Sequence, residues 1–256
     1  IIRSVKKETA LNDRLEKTNI QLKELDEKKT EFMSLATHQL RTPLTAMKGY
    51  SSMILDGTFG KEQNPEIEDA INKISRSTTD LTMIVEDYLN ISMIEQGRMQ
   101  YNFVTCDVAK IIKSIVADMK NTAERLGLVV NLEFDTNTTF PVNVDEGKIR
   151  QVFINVIDNA IKYTPKGHID ISIIRTLENK ALVKIQDTGV GIHEDVLPTL
   201  FNKYVRAPDA SRVNILGTGL GLYVAGEILK AHDGKAWAES HGEGKGSVFY
   251  IQLDLA

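Results

Sequence analysis

Asp187-Thr188-Gly189-Val190-Gly191 comes directly off a segment that alternates apolar and polar residues as a strand does. An aspartate at a strand end, followed by a Gly-x-Gly turn, aims a carboxylate into a pocket while a ligand lies against bare backbone. A carboxylate accepts hydrogen bonds, so an exocyclic amino group is a natural partner. Taken alone, the pattern also suits an ordinary strand-to-loop turn. Gly217-Thr218-Gly219-Leu220-Gly221-Leu222 opens a predicted helix. Its glycines expose N–H groups at the positive end of the helix dipole, a phosphate site in principle. It is neither a dinucleotide fingerprint nor a P-loop: no strand directly precedes it and no Gly-Lys-Ser/Thr follows. In "VFINVIDNAIKYTP", Asn155 and Asn159 share one helix face, with Lys162 close to it. The apolar side reads as Val152, Ile154, Val156, Ile157 and Ile161. Two amides in so apolar a helix need partners, because a buried unpaired amide costs about 1–3 kcal/mol. Helix capping or core hydrogen bonds would serve, and so would a hydrated Mg²⁺ carrying phosphates.

His38 lies in "SLATHQLRTPLTAMKGY". A single histidine on a helix is surface decoration by default, but two features single this one out. The apolar seam runs through Ala36 and then Gln39 or Leu40, so His38 points away from it. Pro43 lies mid-helix and has no N–H to give residue 39, which should loosen or bend the helix just beyond the histidine.

The elements that position these residues fall into two textures. Leu11, Leu15, Thr18, Leu22, Leu25, Lys29, Phe32 and Ala36 are spaced by alternating fours and threes, a coiled-coil seam. A loop signal at residues 56–65 follows, with Pro65 suited to a first helical turn. The pattern resumes at Ile67, Ile71, Ile74, Thr78, Leu81, Val85, Tyr88 and Ser92, and Gly97 ends the helix. Two long helices so joined make a hairpin whose stripe is too broad to bury alone. Two hairpins in a four-helix bundle can bury it, so a homodimer is expected. Beyond Gly97, strands are expected over 99–106, 128–134, 141–144, 168–174, 181–187, 234–240 and 246–253. Helices are expected over 106–127, 145–163 and 218–232. This is an α+β layer of helices on a mixed sheet.

Composition excludes several classes. Of 256 residues, 42% are hydrophobic and 26% charged, so the chain is neither fibrous nor wholly disordered. The net charge of −4 and the lack of a basic stripe argue against nucleic acid. The single cysteine, Cys106, can form no internal bridge and reads as a small, buried or half-buried residue. No apolar run reaches the ~18–20 residues of a membrane span. The chain starts at Ile1, and we read it as a piece of something longer, with any membrane attachment lying upstream. His168, His193, His232 and His241 lack paired metal spacing and are expected at the surface or in loops, and Trp237 in the core.

The order of the three segments resembles the nucleotide boxes of the GHKL ATPases, over residues 104–256. "LFNKYVRAPDAS" resembles the F box of the kinase branch. Thr37-His38-Gln39-Leu40-Arg41-Thr42-Pro43-Leu44 resembles the H box of the HisKA dimerisation domain, and the whole chain resembles a sensor histidine kinase core. The resemblance implies a multidomain α and α+β fold, a helical hairpin forming a dimeric four-helix bundle followed by a GHKL (Bergerat) α/β sandwich. The divisions would be a signal-transmitting coiled coil at 1–28, a phosphoacceptor domain at 29–98, a hinge at 99–105 and an ATP-binding domain at 106–256. It implies ATP and Mg²⁺, with Asp187 reading the adenine amino group and Asn159 holding the metal, assisted by Asn155. Lys162 and Tyr163 would contact phosphates or nucleoside, and Arg206 the terminal phosphate. Gly189, Gly191, Leu220 and Leu222 would bind the nucleotide, and Gly217, Gly219 and Gly221 would shape the lid.

His38 would be the phosphoacceptor, and Thr42 would orient a water for dephosphorylating a response-regulator partner that docks around Ala46, Met47 and Tyr50. A cytoplasmic location, or the cytoplasmic part of a membrane-anchored sensor, is implied. One position departs from the pattern: Gln39 stands where the family usually has Glu or Asp. It can orient the ring but cannot take a proton. The alternatives are therefore a phosphatase-biased kinase or an ATP-binding dimeric scaffold. A GHKL ATPase is a third, weakened because Gln151 occupies the place of its catalytic acid.

Overall fold

The computed structural model describes residues 16, 18, 40, 42–58, 65–135, 138–205 and 219–256. The chain divides into two compact units, Ile1–Met99 and Gln100–Ala256.

In the first unit, residues 42–55 are helical, and a long helix α1 spans Pro65–Glu95. Pro65 occupies the first helical position, where its missing N–H costs nothing. Gly97 stops the helix with a positive φ of 62°, and Arg98 N–H reaches back to the Met93 carbonyl at 2.9 Å. Burial splits the apolar stripe in two. Leu44 and Ser51, a heptad apart, are buried, as are Ile71, Thr78 and Val85. The buried Thr78 hydroxyl is satisfied by the Ile74 carbonyl at 2.8 Å. The other half of the stripe on α1, Ile67, Ile74, Leu81 and Tyr88, stays 41% to 51% exposed, and Leu40 and Met47 are exposed too.

The second unit is built from β1 (Val104–Asp107), α2 (Val108–Arg125), β2 (Leu128–Leu132), β3 (Pro141–Val144), α3 (Glu146–Lys162), β4 (Gly167–Arg175), β5 (Lys180–Asp187), α4 (Gly221–Ala231), β6 (Lys235–Ser240) and β7 (Ser247–Asp254). A five-stranded sheet has the order β2-β4-β5-β7-β6, with β2 and β4 parallel and the other pairs antiparallel. β1 and β3 form a separate antiparallel pair. Each central strand buries alternate residues: Ile169, Ile171 and Ile173 on β4, Ala181, Val183 and Ile185 on β5, and Phe249, Ile251 and Leu253 on β7. α2 lies against β2, α3 against β5 and α4 against β6, so the helices form a single layer on the buried face. α3 contributes Ile149, Val152, Phe153, Val156, Ile157, Ala160 and Ile161, its inward stripe. Phe153 takes the buried place expected of Ile154, which is half-buried.

Aspartates start both long helices. Asp107 Oδ1 accepts the Ala109 and Phe140 N–H groups, at 3.1 and 2.9 Å. Asp145 caps α3 through the Lys148 N–H at 3.0 Å and takes the Asn102 N–H at 2.8 Å. Burial alone would raise the Asp145 carboxyl pKa, but the two backbone donors and the Lys148 charge outweigh it and hold the pKa below the usual range. Its stabilising contribution is therefore present above the ordinary aspartate pKa and lost as pH falls through the depressed one. Asp145→Ala should cost about 1–2 kcal/mol in thermal or urea unfolding at pH 7. An unchanged midpoint would mean the cap contributes nothing.

Further expectations need correction. The strand expected over 99–106 begins only at Val104, because Asn102 is committed to Asp145. His232 is no surface residue: it is buried, with Nδ1 2.7 Å from the Ile228 carbonyl and Nε2 accepting the Asp145 N–H at 3.0 Å. The rings of Tyr101 and Phe103 flank it, with centroids at 5.0 and 4.8 Å. Trp237 is only half-buried and stacks on Tyr250, its cross-strand partner, on the face away from the helices. His168, His193 and His241 are exposed, and Cys106 is half-buried with its thiol pKa pushed up by burial. No helix among the described residues is long and apolar enough to cross a membrane.

Candidate functional site

The buried row of β5 runs Ala181, Val183, Ile185 and then Asp187, so strand alternation places a carboxylate where a fourth apolar side chain belongs. Asp187 is 4% exposed. Ser247 sits directly opposite on β7, in phase with Phe249, Ile251 and Leu253, and is buried as well. Its hydroxyl donates to Asp187 Oδ2 at 2.5 Å. Oδ1 accepts the Gly189 N–H at 2.8 Å and the Ser247 N–H at 3.3 Å. A carboxylate has about four acceptor positions, so one position on Oδ2 has no donor among the described residues. Burial pushes the Asp187 pKa above the usual carboxylate range, and these three hydrogen bonds draw it only part of the way back.

The turn after Asp187 is built for close approach. A Cβ on Gly189 would lie 2.2 Å from the Tyr163 carbonyl oxygen and 2.8 Å from Asp187 Oδ1, so no other residue fits. Val190 N–H donates to that same carbonyl at 3.0 Å, which ties the turn to the end of α3. Thr164 follows on, buried, its hydroxyl donating to the Ala160 carbonyl at 2.7 Å. The structure thus brings Tyr163, Asp187, Gly189 and Gly191 to one end of the sheet.

α3 also meets α4. Asn155 Nδ2 donates to the Gly221 carbonyl at 2.9 Å, which braces the two helices, and its side-chain oxygen accepts no hydrogen bond among the described residues. Asn159 is half-buried, and its side chain makes no hydrogen bond among the described residues. An unpartnered amide oxygen on a helix face fits Mg²⁺, which takes hard oxygen ligands and few of them from protein. Lys162 is paired with Asp158 at 2.6 Å. Gly219 has a positive φ of 68°, Leu220 is buried, Leu222 is half-buried, and among the described residues no side chain caps α4. Its first N–H groups therefore suit an anion.

Comparison with known proteins decides the family. Residues 28–97 match the His Kinase A (phospho-acceptor) domain, and residues 144–256 match the histidine kinase-, DNA gyrase B-, and HSP90-like ATPase. The chain belongs to the sensor histidine kinases. It is 31% identical over 235 residues to the sensor histidine kinase WalK of Bacillus subtilis (strain 168), a match covering 90% of this chain and 37% of that protein. The chain thus spans well under half the length of this curated relative. Among solved structures it resembles the Acinetobacter baumannii histidine kinase AdeS, with TM-score 0.58 and 27% identity, covering 85% of this chain and 98% of that one. Full-length ShkA in complex with AMPPNP shares the fold at TM-score 0.66 and 20% identity, over 88% of this chain and 46% of that one.

Of the residues that cluster around the Asp187 carboxylate, the sequence singled out Asp187, Gly189 and Gly191 but not Ser247. The phase of Ser247 with three buried apolar residues on β7 is the signal that would have found it. His38, Gln39, Arg206 and Gly217 lie outside the described residues, as do the seam positions before Leu40 other than Thr18. Thr42 is helical and exposed, and Ala46, Met47 and Tyr50 are exposed.

Proposed function

We propose that this chain is the catalytic core of a two-component sensor, which transfers the γ-phosphoryl group of ATP to His38 and then to an aspartate of a response regulator. The observation that carries the reading is the Asp187 carboxylate, buried, held by Ser247 and Gly189, with an acceptor position left over. That group matches the amino group of adenine. Gly189 and Gly191, which allow the tight turn beside Asp187, would shape the base pocket, and Asn155, Asn159, Lys162 and Tyr163 would contact the phosphates or the nucleoside. Gly217, Gly219 and Gly221 would shape the lid, Leu220 and Leu222 would contact the nucleotide, and Arg206 would approach the terminal phosphate. Mg²⁺ on the triphosphate would be held by Asn159, and it supplies neutralisation of phosphate charge.

In the first step a neutral His38 nitrogen forms the N–P bond while the P–O bond to ADP breaks. The neutral imidazole is the nucleophilic form, since its unprotonated nitrogen carries the lone pair that attacks. Such transfers depend on positioning and charge stabilisation. Thr42 would orient the water that dephosphorylates the regulator. The division into a coiled coil at 1–28, a phosphoacceptor domain at 29–98, a hinge at 99–105 and an ATP domain at 106–256 belongs to this proposal, as does a cytoplasmic site of action. Gln39 favours one second reading, an ATP-binding scaffold or phosphatase-biased kinase.

The test is transfer. Chain charged with ATP and freed of nucleotide should pass its phosphoryl group to the receiver domain of its cognate regulator within minutes. Receiver lacking the acceptor aspartate should take none. Label lost only to water would contradict the two-step reading.

The half-exposed stripe on α1 supports a homodimer. Ile67, Ile74, Leu81 and Tyr88 recur every seven residues, as a second hairpin would require to complete a four-helix bundle. Leu81→Asp should convert a dimer into a monomer in light-scattering measurements of mass. A wild-type monomer at micromolar concentration would refute the dimer.

A further inference from the structure

We propose that Ser240 is a positioning residue for the nucleotide base, resting on the reading of Asp187 as an adenine acceptor. Three strand ends line up across the sheet: Asp187 opposite Ser247, and Ser247 opposite Ser240. Ser247 acts on the carboxylate itself, whereas Ser240 acts on the turn beside it. Its hydroxyl donates to the Gly246 carbonyl at 2.7 Å and accepts the Ile192 N–H at 3.0 Å and the Gly242 N–H at 3.3 Å. A serine hydroxyl has one donor and two acceptor positions, and all three are used.

The effect is to weld two irregular segments together. Residues 188–192 have no ladder of their own, so tertiary hydrogen bonds must set their shape. The β6–β7 turn supplies them. Gly246 N–H donates to the Gly189 carbonyl at 3.1 Å and Gly244 N–H to the Val190 carbonyl at 2.7 Å. Gly191, at φ +75°, approaches so closely that a Cβ would lie 2.1 Å from the Gly242 carbonyl oxygen. The Ser240 side chain bonds both to this turn and to the end of the Asp187 turn. Without its hydroxyl, two N–H groups and a carbonyl must find water, and the backbone facing the base is free to relax. Ser240 touches no group expected to meet the phosphates. Its loss should weaken nucleotide binding and leave the transfer step alone.

The experiment compares wild type, Ser240→Ala and Ser240→Thr in the full chain, by calorimetric titration with Mg·ADP, autophosphorylation kinetics and thermal melting. Ser240→Ala should raise the Kd for Mg·ADP and the KM for ATP about tenfold with kcat within about twofold. Ser240→Thr, which keeps the hydroxyl, should bind within about twofold of wild type. Wild-type affinity in Ser240→Ala would overturn the proposal. So would a parallel loss in both variants, or a fall in kcat with KM unchanged, each of which marks general damage. Wild type that binds no Mg·ADP would instead sink the nucleotide reading beneath it, so the two failures are told apart.

Discussion

Asp187→Asn should abolish nucleotide binding and leave a chain that is folded and at least as stable as wild type. The substitution keeps the shape. An asparagine oxygen still accepts the N–H groups of Gly189 and Ser247, and the Ser247 hydroxyl can turn to accept from the new amide. What is lost is the outward acceptor. An amide nitrogen there would face the adenine amino group donor to donor. A hydrogen bond to a charged group contributes about 1.5–3 kcal/mol, and an unmatched buried donor costs about 1–3 kcal/mol more, so Kd for Mg·ADP should rise ~100-fold or more. Stability goes the other way, because burial holds the Asp187 carboxyl pKa above its ordinary value despite three donors. A carboxyl whose pKa is raised on folding makes the protein less stable as pH rises through that raised value. At neutral pH the ionised group therefore opposes folding, and a neutral amide removes that opposition. In wild type, nucleotide affinity should fall on acidification at a pH above ~3.9, where an ordinary aspartate titrates. Calorimetry across pH and a melting curve of each variant check both halves. An Asp187→Asn chain that binds Mg·ADP normally would remove Asp187 from the base site.

Gln39→Glu should speed autophosphorylation. As charge develops on the attacking imidazole, the proton on its other nitrogen needs an acceptor, and glutamine has no basic atom to offer. General-base assistance is typically worth 10²–10⁴-fold. We expect a gain of about 100-fold in the single-turnover rate, with Kd for Mg·ADP unchanged because the nucleotide site lies elsewhere in the chain. An unchanged rate would show that water already carries the proton, or that another step limits turnover.

How much of this was legible in the sequence depends on which chemical groups do the work. Side chains that act through their own polar atoms left a mark. Asp187 broke an apolar alternation, and two asparagines stood in an apolar helix. The strands of the second unit follow from period-two patterning for the same reason. Backbone partners leave no mark. His232 reads as a loop histidine because its two partners are the Ile228 carbonyl and the N–H of Asp145, 87 residues away. Ser240 is equally silent, since all its partners are main-chain groups brought together by two turns. Trp237 reads as core because aromatic residues usually are. Only the register of β6 against β7 shows that it pairs with Tyr250 on the far face. α4 begins at Gly221, three residues later than its glycine run suggests, because Gly219 takes a left-handed φ before it.

The central claim is that a nucleotide read by Asp187 phosphorylates His38. The direct measurement is incorporation of label from γ-³²P-ATP with Mg²⁺ into wild type, His38→Ala and Asp187→Asn, each quenched and then exposed to acid and to alkali. The account predicts label in wild type alone, labile to acid and stable to alkali, as a phosphorus–nitrogen bond requires. Undiminished label in His38→Ala, or wild-type label that survives acid, would contradict it.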